Sequence, residues 1–301
     1  MKVAILGAGG QLAHDLVECM GDWDLAPLRH SDLDVCNHQA VRTRLAEART
    51  EVVINTTAFH RVDDCETEWE KAFLVNAHAV RNLALVCRDL GAVLVHLSTD
   101  YVFGGEKRTP YSEDDLPRPL SAYGVSKLAG EHFVRVLCPD SLVVRTSGLY
   151  GIAGSSGKGG NFVETMIRLA EAGKPIRVVD DQDLAPTYAA DLAAGIKEML
   201  MKRGRGLYHM TNSGSCSWFE FARAIFDMTG LHVDLSPTST AAYGLRARRP
   251  SYSVMSQERA VALGLKRLRP WPEALRAYLL QRAMPKHLGP LPNPGGSQHA
   301  S

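Results

Sequence analysis

The stretch "KVAILGAGGQLAHDLVECM", Lys2 to Met20, decides the fold. It opens on a short apolar run that closes in glycines. That is too short for the core of a secretory leader and reads as a strand buried on both faces of a parallel sheet. Gly7 and Gly10 follow with the spacing of a dinucleotide-binding turn, and Ala13 takes the third small position. Small residues let a backbone approach a pyrophosphate. The helix opening at Gln11 then offers free N–H groups and the positive end of its dipole. Glycine turns are common, so the placement between strand and helix gives this one its weight.

The same grammar extends outward. Continuous apolar runs recur at "VVIN" (52–55), "AVLVHLS" (92–98) and "SLVVRTS" (141–147). Helical patterns separate them at 11–20, 39–48, 69–90 and 126–137. This alternation predicts an α/β chain with a Rossmann-type doubly wound parallel sheet. After Gly148 the pattern loosens. "GSSGKGGN" (154–161) reads as a flexible loop, followed by a helix at 162–172, a strand at 176–179 and a helix at 189–202. A further helix at 217–230 has Ser217 as N-cap, Glu220 completing a capping box and Gly230 as its stop. The expected division is an NAD(P)-binding Rossmann domain at 1–147, rejoined by about 183–204. A smaller α/β substrate domain comprises 148–182 and 205–284, and the Pro/Gly-rich tail 285–301 is expected to be disordered.

Composition excludes several function classes. A net charge of +1 offers no basic field for nucleic acid. No stretch of about 18 apolar residues spans a membrane. Six cysteines with no Cys-x-x-Cys pair argue against a zinc site or a disulfide framework and suit a reducing cytoplasm.

A second strand, "DLAPL" (24–28), ends near Arg29, His30, Ser31 and Asp32. An acidic residue there grips a ribose hydroxyl, as in NAD sites, whereas Arg29 and His30 welcome the 2′-phosphate of NADP. Both kinds are present, so the turn points to NADPH and leaves NADH open. "SAYGVSKLAGE" (121–131) places Tyr123 one helical turn before Lys127, the sole Tyr-x-x-x-Lys of the chain. An ammonium beside a phenol is expected to lower the phenol's pKa from about 10, toward a proton donor for a carbonyl. The chain has nine tyrosines, so chance can supply one such pair. Position decides more. The pair follows a strand running into Ser98, Thr99 and Asp100, and ligands of parallel sheets bind beyond strand carboxyl ends. The Thr99 hydroxyl is placed to hydrogen-bond the carbonyl that Tyr123 protonates.

These motifs resemble the extended short-chain dehydrogenase/reductases and, more narrowly, the dTDP-4-dehydrorhamnose reductase family. The resemblance runs from Lys2 to about Leu280 and rests on "GAGGQL" (7–12), "STDYVFGG" (98–105), "YGVSKLAGE" (123–131), "RTSGLYG" (145–151), "DDQDLAPT" (180–187) and "RPSYSVM" (249–255), among others. It implies that Gly7, Gly10, Gln11 and Leu12 cradle the cofactor. Asp34 and Val35 flank its adenine, and Thr56, Thr57 and Ala58 line its middle. Thr99, Tyr123 and Lys127 are catalytic, with Tyr123 and Lys127 also holding the nicotinamide ribose. Thr99, Asp100 and Gly148 face the sugar. The implied reaction is reduction of the C4 ketone of a dTDP-6-deoxyhexose, as in dTDP-rhamnose and polysaccharide biosynthesis. The resemblance also admits an NDP-sugar 4-epimerase and a non-enzymatic regulatory subunit like that of methionine adenosyltransferase. A homodimer is left open. Two departures concern the sugar. Gly148 stands where the family has Trp, so an aromatic wall is missing or supplied by Leu149 or Tyr150. Asp183 and Leu184 replace an aromatic residue and a glycine.

Other residues have blander readings. Arg145 faces a pyrophosphate or pairs with a carboxylate. His60, Asp63, Asp64 and Glu66 lack ligand spacing and read as a solvated loop and helix start. His96 reads as a core histidine, and Trp218, Phe219, Phe221 and Phe226 as core aromatics.

Overall fold

The computed structural model describes residues 1–153 and 160–284. Most of the glycine-rich stretch at 154–161 and the tail from 285 lie outside them. In chain order the first half comprises β1 (Lys2–Leu6), α1 (Gln11–Cys19), β2 (Asp24–Leu28), α2 (His38–Glu47), β3 (Val52–Asn55), α3 (Val62–Cys65), α4 (Trp69–Phe73), α5 (Ala79–Leu90), β4 (Val93–Thr99), α6 (Ala122–Leu137) and β5 (Ser141–Thr146). There follow β6 (Leu149–Tyr150), α7 (Phe162–Glu171), β7 (Ile176–Val179), β8 (Asp183–Leu184), β9 (Thr187–Tyr188), α8 (Ala189–Met201) and β10 (Gly206–His209). The rest is β11 (Asn212–Ser213), β12 (Cys216–Ser217), α9 (Trp218–Thr229), β13 (Leu235–Thr238), α10 (Thr240–Tyr243), α11 (Glu258–Ala262), β14 (Leu268–Pro270) and α12 (Trp271–Ala283).

Six parallel strands form the central sheet in the order β10-β5-β4-β3-β1-β2. This is the doubly wound Rossmann-type fold. The order reverses between β1 and β3, the crevice where such sheets bind ligands. The continuous apolar runs now have their cause. Val3 and Ile5 of β1 pack toward α1 and α8, while Ala4 and Leu6 pack toward α2 and α5 on the opposite face. A separate core lies in the second lobe, where Val163, Ile167, Phe221, Ile225 and Tyr278 pack around β7. Residues 206–209, beyond the stretch expected to rejoin the Rossmann half, supply the sheet's edge strand β10.

Two helices differ from their sequence patterns. α6 begins at Ala122, four residues before the expected Ser126, because Ser121 caps it through Gly124 N–H and Glu66 accepts from Ala122 N–H. Tyr123 therefore lies inside the first turn. The span 69–90 is helical throughout but carries a π turn at Leu74–His78. There the buried Asn76 accepts from Phe59 N–H and donates to Phe59 C=O and Ser126 Oγ. The capping box of Ser217 and Glu220 and the left-handed Gly230 are present as expected.

Candidate active site

One cleft of about 1110 Å³ runs along the carboxyl ends of the strands into the second lobe. Its cofactor end starts at Gly7, whose φ of +83° suits glycine. A β-carbon there would lie 2.8 Å from Thr56 Oγ1, so the glycine also permits close approach of β1 and β3. Gly7 C=O accepts from Gly10 N–H, and no side chain caps α1. The first N–H groups of that helix thus stay open toward the cleft. Gln11 donates to Leu149 C=O, and its Oε1 is buried without a partner. Leu12 borders the cleft while its side chain packs into the core. Thr56, Thr57 and Ala58 line the middle, with Thr56 donating to Leu6 C=O and Thr57 to Asn55 Oδ1. Asp34 and Val35 border the far end, joined by His30. Arg29 is exposed and does not border the cavity. Its N–H is taken by Asp32, whose carboxylate thereby closes the turn. The glycine cradle, the open helix terminus and the orphaned Gln11 oxygen fit a dinucleotide.

At the other end β4 and β5 deliver the candidate catalytic residues. Thr99 and Thr146 are register partners, so both strands end together at the cleft. Tyr123 projects from α6, edge-on to Tyr101 with ring centroids 5.9 Å apart. Lys127 follows one turn later, its Nζ 2.6 Å from Leu97 C=O. The expected lowering of the Tyr123 pKa does not occur. Burial pushes it above its ordinary value, a hydrogen bond with Thr99 opposes this, and Asp100 adds to the rise. Lys127 instead yields, since burial lowers it to about 8 against a smaller opposing pull from Glu131. At Tyr123 burial and the neighbouring Asp100 carboxylate outweigh any pull from Lys127. Tyr123 therefore remains a protonated phenol.

Asp100 is 3% exposed and borders the cleft. Its carboxylate accepts from Thr99 Oγ1 at 3.1 Å, Ser147 Oγ at 2.8 Å and Ser253 Oγ at 2.6 Å. Burial raises its pKa, and these hydroxyl donors oppose the rise. Ser253 belongs to the second lobe, so Asp100 fastens the two strand ends to it. Behind the site Arg145 pairs bidentately with Glu131 at 2.9 and 2.6 Å, and Ser98 donates to the same carboxylate. Arg145 and Glu131 are each 1% exposed, which settles the reading of Arg145 in favour of a carboxylate partner.

Several readings change with the structure. Tyr150 cannot wall the sugar, because it is fully buried and packs against Tyr188, Phe221 and Tyr278. Leu149 and Gly148 do line the cleft, together with Leu184. Trp218 packs on the second core but also forms cleft wall beside Phe162, their centroids 4.5 Å apart. Asp63 is not merely solvated: it accepts from Arg249 of the second lobe at 2.6 Å. His96 is the expected core histidine, fully buried and bonded to Asn55. Among the described residues His14, Asp15 and Glu18 each bring one ligand-type atom within 4.8 Å of the others, a grouping the sequence reading did not find.

Comparison with known proteins now bears on this geometry. The family described as RmlD substrate binding domain matches residues 1–284. The chain belongs to this family. The spore coat polysaccharide biosynthesis protein SpsK of Bacillus subtilis is 41% identical, covering 94% of this chain and 98% of its own. A probable dTDP-4,6-dihydroxy-2-methyloxan-3-one 4-ketoreductase of Streptomyces antibioticus is 43% identical, covering 92% and 94%. The solved dTDP-4-dehydrorhamnose reductase of Bacillus anthracis, in complex with NADP, is 39% identical with a TM-score of 0.89, covering 93% and 99%. As a member of the RmlD family, the chain combines the glycine turn with Thr99, Tyr123 and Lys127 in one cleft. Among the described residues no helix is long and apolar enough to cross a membrane.

Proposed function

We infer that this protein uses NADPH to reduce the C4 ketone of a nucleotide-linked 4-keto-6-deoxyhexose, dTDP-4-dehydrorhamnose or a close analogue. The observation that carries this reading is a neutral Tyr123 phenol beside Thr99, at the end of a cleft whose other end is a glycine-turn cradle. The names of the relatives, and the NADP complex of one of them, support it. His30 at the adenine end supports NADPH, and Arg29 would contribute only from outside the lining. When bound, the cofactor supplies a hydride to the carbonyl carbon. Tyr123 donates its proton to the carbonyl oxygen as negative charge builds there. Thr99 turns the proton it otherwise gives to Asp100 toward the same oxygen. Lys127 sets a positive charge beneath the reacting pair, and its value of about 8 lets that charge vary near neutral pH. Asp100 and Gly148 border the sugar. The Rossmann half holds the cofactor and the second lobe the sugar nucleotide. Six free cysteines support a cytoplasmic enzyme.

The test is turnover of a panel of 4-keto sugar nucleotides with NADPH and NADH side by side. Reduction with exchangeable cofactor is expected. Cofactor retained through purification, with C4 inversion and no net reduction, would make the protein an epimerase. Binding without turnover of any member would make it a non-catalytic partner protein.

A further inference from the structure

The cleft's sugar end contains an apolar corner whose origin is unexpected. Gly148 lies two residues beyond Thr146, the register partner of Thr99. The intervening Ser147 is bonded to Asp100. Position 148 is therefore fixed beside the hydroxyls that meet the ketone. Its φ of +52° is left-handed, and a β-carbon there would lie 2.7 Å from Leu184 Cδ1 and 3.1 Å from Pro186 Cα. Leu184 thus occupies the volume that a side chain at 148 would take.

Leu184 is held firmly. Its strand β8 pairs antiparallel with β12. Asp183 N–H bonds Ser251 C=O, and Asp183 C=O accepts from Ser253 N–H. Ser253 is also the residue that bonds Asp100. Leu184 is therefore tied through one residue to the group that positions Thr99. With Leu149 it gives the cleft an apolar surface next to the reacting carbonyl.

We propose that Leu184 selects 6-deoxy sugars by packing against the methyl group at C5, the carbon adjacent to the ketone. This rests on the ketoreductase reading above. A hexose whose C5 substituent is hydroxymethyl would bring a hydroxyl against Leu184 and strip its water without returning a hydrogen bond. An apolar pocket rejects an added hydroxyl only moderately, by about 100-fold at most. The expected preference for the 6-deoxy ligand is about ten- to 100-fold.

The experiment measures inhibition constants of dTDP-6-deoxyglucose and dTDP-glucose against reduction of dTDP-4-keto-6-deoxyglucose by NADPH. The wild type, Leu184→Met, Leu184→Ala and Leu184→Gln are compared, with NADPH affinity reporting an intact Rossmann half. The wild type and Leu184→Met should favour the 6-deoxy inhibitor, while Leu184→Ala and Leu184→Gln bring the ratio to within about threefold of unity. No preference in the wild type, or a ratio unchanged in both Leu184→Ala and Leu184→Gln, overturns the assignment. A wild type that reduces no 4-keto sugar nucleotide removes the ketoreductase reading itself, which separates the two failures.

Discussion

The two ends of the cleft are built on opposite principles. The catalytic end is polar, buried and cross-braced. Glu131 holds Arg145 and Ser98, Asp100 holds three hydroxyls, and Lys127 is anchored on Leu97 C=O. The corner proposed for the sugar is set by an apolar contact between Gly148 and Leu184. Directional bonds fix where a proton goes, so that end should tolerate almost no change. Apolar contact fixes only volume and wetness, so the other end should tolerate change at the level of substrate choice.

Variants can break this contrast. The largest effect is expected for Tyr123→Phe, which removes the proton donor and keeps the ring against Tyr101. Turnover should fall about 100- to 10,000-fold while NADPH affinity, read by fluorescence titration, stays near wild type. Arg145→Leu should come next. It leaves Glu131 charged and unpaired in the interior, and denaturant unfolding should show a loss of about 3–5 kcal/mol. At the apolar end, Gly148→Trp collides with Leu184 and should lower kcat/KM by at least about tenfold, since a misplaced wall disturbs alignment. Adding Leu184→Gly clears the space and should recover part of that loss. Two losses that simply add would show that the residues do not share one volume.

A smaller and sharper test uses pH. Lys127 is depressed to about 8, so its charge is present below that value and lost above it. The logarithm of kcat/KM should therefore bend downward above about pH 8. Stability has the opposite sign. Between about 8 and the ordinary 10.5 the unfolded chain carries the proton and the folded chain does not, so stability should rise across that window. Lys127→Met should lose both features. The smallest effect is Ser217→Ala, which removes the capping box of α9. It should cost about 1 kcal/mol in thermal unfolding and leave turnover unchanged.

Much of the polar end was legible in the sequence because its signals are local. Strand, glycine turn and helix follow one another within twenty residues, and Tyr123 and Lys127 share one helix face. What stayed hidden depends on tertiary contact. Ser147 and Ser253 are 106 residues apart yet bond the same carboxylate. Leu184 reads as an ordinary apolar residue until Gly148 is seen against it. The direction of the Tyr123 shift was misread because spacing reveals a neighbour but not its burial. Tyr150 looked available beside Gly148, but strand alternation turns it into the second core. Gly148 lines the cleft, and what fills the space beside it lies 36 positions further along the chain.

The central claim is that hydride reaches C4 of a 4-keto-6-deoxyhexose while Tyr123 protonates the oxygen. The direct measurement is deuterium transfer from 4-deuterated NADPH to dTDP-4-keto-6-deoxyhexose, read by mass spectrometry and NMR of the product. One deuterium at C4 with the wild type, and at least about 100-fold slower incorporation with a Tyr123→Phe protein that still binds NADPH, is the predicted result. Absence of deuterium at C4 with the wild type, or undiminished incorporation by Tyr123→Phe, would contradict it.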